Sequence, residues 1–302
     1  MTILVTGSNG LVGSYFVSYF RSKVKKEQLF TPPLQELDVT EKASVKRCFN
    51  TICPNVLVHF AAFTDVNSAE NERNKKDGLA WRTNVLGTKN IVELCRSQKL
   101  HLIHISTDGV FSGLKEKPGP YGENDPIESD PNKLSWYGWT KAQAEIIVSK
   151  NLLDASIVRI SYPVRAHFKK KLDYVRKILF LFDRDEFHPM FTDQYLTLTF
   201  INEVSEVITR LILTKKSGIF HVSSKDTFTP FELACYLLER TRGVKNVVQP
   251  ISLEEFVKRS KMPARYPQFG GLKTEKTQRA LGINFLDWKE IIDALIKEGV
   301  TY

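Results

Sequence analysis

A doubly wound α/β protein, its parallel sheet covered by helices on both faces, is predicted by two features of this 302-residue chain. Short apolar, β-branched runs alternate with stretches of helical periodicity through the first half, which is the signature of successive βαβ units. The first of those runs leads at once into Gly7-Ser8-Asn9-Gly10-Leu11-Val12-Gly13, a glycine turn that opens a helix.

From the N-terminus, residues 3–6 form a short β-branched strand. Leu11, Val12, Tyr15, Phe16, Tyr19 and Phe20 then recur at helical spacing. Residues 28–31 are a weak strand before Pro32-Pro33. Residues 40–50 predict a helix with Thr40 at its N-cap. Residues 56–62 are an apolar strand, and a long helical pattern runs through Trp81, Val85, Leu86, Ile91, Val92 and Cys95. Strands at 102–106 and 156–160 flank a helix at 138–150. Beyond Ser161 the pattern loosens: a helix near 172–182, a helix at 202–213, a strand at 218–223, then helices at 230–240, 253–260, 274–280 and 287–297. The resulting architecture is a Rossmann-like domain over 1–160, completed by parts of 195–225. A smaller, interleaved α/β substrate lobe fills most of 161–302.

Composition narrows the function. The chain is 42% hydrophobic and 25% charged, and no apolar run approaches a membrane span. A cytoplasmic protein is expected, with neither membrane nor nucleic acid as partner, because no basic helix interleaved with aromatics is present. Cys48, Cys53, Cys95 and Cys235 lack both a disulfide framework and zinc-ligand spacing, so reduced, mostly buried thiols are expected. The net charge of +9 favours anionic ligands in general. The basic stretch from Arg165 to Lys177 reads as a solvated face, or as a lid over an anionic substrate.

The glycine turn has a physical purpose. A dinucleotide's pyrophosphate needs a tight turn, a backbone free of side chains, and a helix N-terminus aimed at its charge. A Gly-x-x-Gly-x-x-Gly run is weak alone, but this one lies between a first strand and a first helix. The acid that holds the ribose hydroxyls at the end of the second strand is missing: that neighbourhood reads Thr31-Pro32-Pro33, and no arginine there marks a 2′-phosphate. NADPH and NADH both remain open as cofactor. Asp38 is either an acceptor for the adenine amino group or an acid at a helix start. Small Ala61 and Ala62, then Phe63 and Thr64, would let backbone run past the cofactor. Asn84, if buried, braces the active-site strand or faces water.

Tyr137 and Lys141 stand four apart, on one face of the helix expected at 138–150 and just before it. There the ammonium is expected to lower the phenol's pKa. A hydroxyl residue closing the preceding strand, in Ser106-Thr107-Asp108, would complete a carbonyl-reducing site.

Together these segments resemble the extended short-chain dehydrogenase/reductase superfamily and, more narrowly, the dTDP-4-dehydrorhamnose reductase family. The likeness is carried by the glycine turn, Leu37-Asp38-Val39-Thr40, Asn55 through Thr64, Ile105 through Phe111, Tyr121 through Asp125, Tyr137 through Lys141, Val158-Arg159-Ile160-Ser161, Asp193-Gln194, Gly218 through Ser223 and Pro263 through Pro267. The resemblance implies NADPH- or NADH-dependent reduction of a 4-keto group on a nucleotide-activated 6-deoxysugar, with no metal and with a homodimer as one possible assembly. It assigns Thr107, Tyr137 and Lys141 as the catalytic triad: Tyr137 donates the proton, Thr107 hydrogen-bonds the same oxygen, and Lys141 holds the nicotinamide ribose. It assigns the cofactor to Gly7, Asn9, Gly10, Leu11, Val12 and Gly13, to Asp38 and Val39, to Ala61, Ala62, Phe63 and Thr64, and to Asn84, Tyr137 and Lys141. It assigns the substrate to Thr107, Asp108, Gly109, Tyr162 and Arg265.

Departures from the family accompany it. Its reductases carry Tyr where this chain has Gly109; related 4,6-dehydratases carry Glu there and GDP-fucose synthases Cys. Gly109 can do neither of the latter jobs. Tyr162 stands where the family has Trp, and Tyr195-Leu196-Thr197-Leu198-Thr199 replaces a Gly-x-Pro-Thr run. An NAD-dependent epimerase or another reductase of the superfamily is one alternative. A non-catalytic regulatory subunit, like that of methionine adenosyltransferase, is the other.

Overall fold

The computed structural model describes residues 1–259 and 266–302. The chain folds as two compact units: Met1–Val110, Pro126–Arg159 and Asn202–Phe220 in the first, Phe111–Asp125, Ile160–Ile201 and His221–Tyr302 in the second.

The first unit is built on a six-stranded sheet. Its strands are β1 (Thr2–Thr6), β2 (Gln28–Phe30), β3 (Val56–His59), β4 (His101–Thr107), β5 (Ser156–Ile160) and, later in the chain, β9 (Gly218–Val222). They lie in the order β2-β1-β3-β4-β5-β9, and β1 pairs in parallel with both β2 and β3, as β3 does with β4. The chain thus leaves β1 toward one edge and returns to the other side of it. That reversal opens a crevice at the carboxyl ends of β1 and β3, where the glycine turn sits. The doubly wound parallel architecture expected from the alternating pattern is the one observed.

The helices of this unit are α1 (Leu11–Lys23), α2 (Lys42–Ile52), α3 (Val66–Asn71), α4 (Leu79–Trp81), α5 (Thr88–Gln98), α6 (Trp136–Asn151) and α8 (Ile201–Thr214). Strand side chains alternate faces. Leu4, Leu57, Leu102 and Ile157 share one apolar cluster with Val45 and Phe49 of α2, Ile91 and Cys95 of α5 and Val148 of α6. Residues one step along each strand, among them Ile3, Val5, Val56, Val58, Ile103 and Val158, are also fully buried, so both faces are covered. This explains why the strands read as unbroken apolar runs rather than alternating ones.

Several boundaries differ from expectation. The helix expected to start at Thr40 begins at Lys42, with Glu41 as an N-cap that makes no side-chain bond, because Thr40 turns its N–H and hydroxyl onto Asp38 Oδ1, at 2.8 Å each. The helix expected at 138–150 starts at Trp136, capped by Ser135, whose hydroxyl accepts from Gly138 N. The strand expected to run to residue 62 stops at His59. The long pattern around Trp81 is α4 and α5 joined by a π-helical turn, Arg82–Gly87.

The second unit holds α7 (Tyr174–Phe182), α9 (Pro230–Arg242), α10 (Leu253–Arg259), α11 (Glu275–Leu281) and α12 (Trp288–Lys297). Two short parallel pairings complete it: β6 (Pro163–Val164) with β8 (Thr199–Phe200), and β7 (Met190–Phe191) with β10 (Pro250–Ile251). Its core gathers Val175, Ile178 and Leu179 of α7, Leu233 and Leu237 of α9, and Trp288, Ile291 and Leu295 of α12. Full capping boxes start α9, through Thr229 and Glu232, and α12, through Asp287 and Glu290; each is worth about 1 kcal/mol. The two-residue strands carry too few side chains to show a period of two, so no sequence pattern announces them. All four cysteines are free; Cys53 is exposed, while Cys48 and Cys95 are buried. Among the described residues no helix is long and apolar enough to cross a membrane.

Candidate functional site

The first unit assembles the glycine turn from its backbone outward. Gly7 has φ +66°, and a Cβ there would stand 2.5 Å from Ala61 N, so only glycine fits. A Cβ on Gly13 would lie 2.4 Å from Gly7 O, which is how α1 packs this close to the turn. Gly10 is the N-cap of α1, contributes no side-chain cap, and no acid lies in the first turn. The result is a bare backbone cradle at a positive helix end, which fits a dinucleotide pyrophosphate. Ala61 is held against Gly7 from the other side: its N–H donates to Thr6 Oγ1 at 3.2 Å, and Thr6 Oγ1 lies 2.7 Å from His59 Nδ1.

Asn84 is buried and its partners are resolved. Its Oδ1 accepts from Phe63 N at 2.8 Å, and its Nδ2 donates to Phe63 O at 3.1 Å and to Thr140 Oγ1 at 2.9 Å. Thr140 Oγ1 in turn donates to Tyr137 O. Of the two roles open from the sequence, bracing is the one observed. The π turn in which Asn84 sits widens the helix by one residue, and Asn84 ties the segment after β3 to the helix that carries Tyr137.

Tyr137 is in the first turn of α6, and its start is fixed by two caps: Ser135 on Gly138 N, and Glu70 Oε2 accepting from Trp136 N at 2.8 Å. Gly138 lets α6 pack onto the end of β4, since a Cβ there would sit 2.2 Å from Gly109 O. This brings Tyr137 to Thr107, and their side chains hydrogen-bond. Thr107 Oγ1 also donates to Asp108 Oδ1 at 3.0 Å and accepts from Gly109 N at 3.1 Å. A Cβ on Gly109 would meet only ordinary contacts, so no steric rule requires glycine where the family's reductases carry tyrosine.

The expectation that Lys141 lowers the phenol's pKa is not met. Burial pushes Tyr137 up to about 12; the Thr107 hydrogen bond opposes this and the nearby Asp108 charge adds to it. Lys141 instead turns inward: its Nζ donates to Ile105 O at 2.6 Å and lies 3.5 Å from His104 Nε2. Burial brings its own pKa down to about 8, and Glu145 one turn further on works against that shift. His104 and His59 are held well below the usual histidine range, first by burial and then by Lys141, so both imidazoles stay neutral.

A buried lysine of this kind has a signed consequence. The unfolded chain protonates Lys141 up to its ordinary value near 10.5, the folded chain only up to about 8. Between those values the unfolded state binds the extra proton, so stability rises with pH across that window, and below pH 8 the full penalty is present. Lys141→Met removes a cost on the order of 3 kcal/mol. The variant is expected to melt several degrees above the parent at pH 7 and at nearly the same temperature at pH 10, by differential scanning calorimetry at both pH values.

The fold also gives the surroundings of the other expected residues. Asp38 is half-buried, and its Oδ1 accepts from the N–H and the hydroxyl of Thr40, ahead of α2. Val39 is core, and its carbonyl accepts from Asn90 Nδ2. Phe63 packs in an aromatic cluster with Trp81, Trp136, Tyr137 and Trp139; Thr64 is exposed. Tyr162 belongs to the second unit, where it adopts φ 44° and meets Tyr174 edge-on at 5.3 Å; a non-glycine residue in that conformation stores about 1–2 kcal/mol. Arg265 lies outside the described residues.

Sequence reasoning missed three features. Glu145 accepts from Arg159 Nε and Nη2 and from Ser106 Oγ, yet it reads as an ordinary helix acid. His104 reads as an ordinary strand residue. The third is an open recess of about 380 Å³ beside the glycine turn, lined by Ser8, Asn9, Ser14, Val17, Ser18, Arg21 and Thr31. The spacing 14, 17, 18, 21 along α1 is the signal that marks one helix face.

Comparison with known proteins agrees with this fold. The fold and site define an NAD(P)-dependent oxidoreductase of the short-chain dehydrogenase/reductase class. The chain belongs to the family of the RmlD substrate binding domain, whose model matches residues 1–300. It is 28% identical over 313 residues to a dTDP-4-dehydrorhamnose reductase of Sinorhizobium fredii, covering 99% of each chain. It is 26% identical to methionine adenosyltransferase 2 subunit beta of Xenopus laevis, over 99% of this chain and 91% of that one. Among solved structures, a dTDP-4-dehydrorhamnose reductase from Clostridium acetobutylicum superposes with TM-score 0.84 at 28% identity, covering 99% of both chains. One from Bacillus anthracis, in complex with NADP, superposes with TM-score 0.82 at 26% identity, covering 98% and 99%.

Proposed function

We propose that this protein reduces the 4-keto group of a nucleotide-activated deoxysugar, as the dTDP-4-dehydrorhamnose reductases it resembles are named for doing. The observation that carries the reading is the phenol of Tyr137 hydrogen-bonded to Thr107 at the end of β4, with the buried Lys141 one turn along the same helix. The nicotinamide, when bound, supplies the hydride.

The chain's own residues handle the proton. Tyr137, held near 12, keeps its proton at neutral pH and can donate it to the carbonyl oxygen as charge develops there. Such donation is typically worth about 10²–10⁴ in rate. Thr107 Oγ1, on turning its one proton from Asp108 Oδ1, can offer a second hydrogen bond to the same oxygen; an oriented donor adds on the order of 3 kcal/mol. Lys141 lies one turn along the same helix with its ammonium on Ile105 O, and Asn84 fixes the position of the helix that bears both. The cradle formed by Gly7, Gly10 and Gly13, with Ala61 alongside, would hold the pyrophosphate.

The test is consumption of NADPH or NADH with dTDP-, UDP- and GDP-linked 4-keto-6-deoxysugars, followed by loss of the reduced cofactor's absorbance and by mass spectrometry of the sugar product. A product two hydrogens heavier, formed in step with cofactor oxidation, is the expected result. Cofactor retained but never consumed would reject the reductase in favour of the second reading, a cofactor-binding regulatory subunit. That reading draws on the similarity to the methionine adenosyltransferase subunit and on Gly109, where a substrate-facing tyrosine is lost although the backbone leaves room for a side chain.

A further inference from the structure

His59, the last residue of β3, is buried, and both of its ring nitrogens are engaged. Nδ1 lies 2.7 Å from Thr6 Oγ1, and Nε2 lies 3.3 Å from Thr88 Oγ1. The neighbours decide which nitrogen carries the ring's hydrogen, because a threonine hydroxyl has a single proton to give. Thr88 Oγ1 donates its proton to Asn84 O at 2.7 Å. Toward His59 it can only accept, so the hydrogen sits on Nε2. Nδ1 is then a lone pair, and Thr6 Oγ1 donates to it, while Thr6 Oγ1 itself accepts from Ala61 N at 3.2 Å. Burial and then the charge of Lys141 bring the His59 pKa down to about 3, so no second ring proton enters at neutral pH. The result is a chain of hydrogen bonds with every proton placed. At one end the backbone of Ala61 walls the glycine turn, 2.5 Å from where a Cβ on Gly7 would stand. At the other, Asn84 donates to Thr140 Oγ1, which donates to Tyr137 O.

We propose that His59, as its Nε2–H tautomer, is a positioning residue that joins the wall of the dinucleotide cradle to the helix bearing Tyr137. It makes and breaks no bond; it fixes the spacing between the seat of the cofactor and the proton donor. The inference rests on the reductase reading of Tyr137 and goes beyond it by naming what ties that phenol to the cradle. An apolar side chain of similar bulk would fill the same space and pass nothing on. Only a group that accepts on one side and donates on the other continues the chain, and each bond in such a chain polarises the next.

The test begins with nuclear magnetic resonance of the full chain carrying ¹⁵N in its histidine rings, the His59 signals being assigned through bonds to its own backbone. An acceptor-type Nδ1 and a hydrogen-bearing Nε2 are expected, unchanged between pH 6 and pH 9. The reverse tautomer, or a His59 ring that takes up a second proton in that range, would overturn the proposal without any variant having to fold. Two variants then divide the link. His59→Asn carries an oxygen where Nδ1 stands and keeps the acceptor for Thr6; His59→Gln carries a nitrogen where Nε2 stands and keeps the donor to Thr88. His59→Asn is expected to lose about three- to tenfold in keto-sugar turnover and less in NADP⁺ affinity. His59→Gln is expected to show the reverse split, the worth of one hydrogen bond in each case. A histidine that only fills the core would give both losses in the same proportion in both variants, and that result would overturn the proposal. A parent that reduces no keto-sugar would reject the reductase reading instead. The tautomer and the NADP⁺ affinities would still decide the link, which stands if His59→Gln binds more weakly than His59→Asn and falls if the two bind alike.

Discussion

Tyr137→Phe is expected to lower the turnover number for keto-sugar reduction about 10²–10⁴-fold while leaving the fold and the dinucleotide affinity intact. The substitution removes one hydroxyl. Its ring stays in the cluster with Phe63, Trp81, Trp136 and Trp139, so packing is kept. The two caps that start α6, from Ser135 and Glu70, do not involve the phenol. What is lost is the proton donor and the hydrogen bond to Thr107. Single-turnover kinetics with saturating reduced cofactor, beside titration of NADP⁺ and NAD⁺, separates the two effects. Unchanged turnover in this variant would remove Tyr137 from the chemistry. The cofactor-free parent sharpens the case through pH: Lys141 loses its proton as pH rises through about 8, so kcat/KM for the cofactor should decline above that value, and Lys141→Met should flatten the alkaline limb.

Arg159→Met is expected to be the most destabilising single change in the first unit, by roughly 3–5 kcal/mol. Arg159 of β5 and Glu145 of α6 are both almost fully buried, at 2% and 3% side-chain exposure, and their bridge closes at 2.7 Å. Glu145 Oε1 also accepts from Ser106 of β4 at 2.5 Å. The carboxylate therefore clamps the helix bearing Tyr137 and Lys141 onto the strand bearing Thr107. Removing the arginine leaves a buried carboxylate without its counter-charge, and that orphaned charge carries most of the cost. Glu145→Met combined with Arg159→Met should recover much of the stability, because neither charge then remains buried. It should not recover activity. Without Glu145, which supports the charged form of Lys141, the lysine's pKa falls further and the alkaline limb moves to lower pH. Thermal unfolding of the two variants and a pH–rate profile of the double variant check these outcomes. A double variant no more stable than Arg159→Met would sink the charge-burial account.

Much of the site was legible because its chemistry needs particular residues at close sequence spacing. The glycine turn works through backbone that must lie bare next to a strand end, and Gly7 and Gly13 are glycines for steric reasons that the spacing already betrays. Tyr137 and Lys141 share a helix face by virtue of their separation. Asn84 was visible as a buried amide in need of partners, but not whom it would meet: Phe63 and Thr140 lie 21 and 56 residues away.

Local order was thus written in the order of residues: the alternation of strands and helices, the bare glycine turn, and the presence of a phenol, an amine and a hydroxyl suited to carbonyl reduction. These rest on periodicity, steric bulk and helical spacing, which act over a few residues. How those groups are charged and held emerged only once the chain was folded. Lys141 faces inward to Ile105 O and His104, Tyr137 is raised rather than lowered, and Glu145, Arg159 and Ser106 converge from a helix and two strands. The recess holding Arg21 and Thr31 likewise joins a helix to a strand end. Burial and long-range juxtaposition set ionisation, and neither leaves a mark in the spacing of residues along the chain.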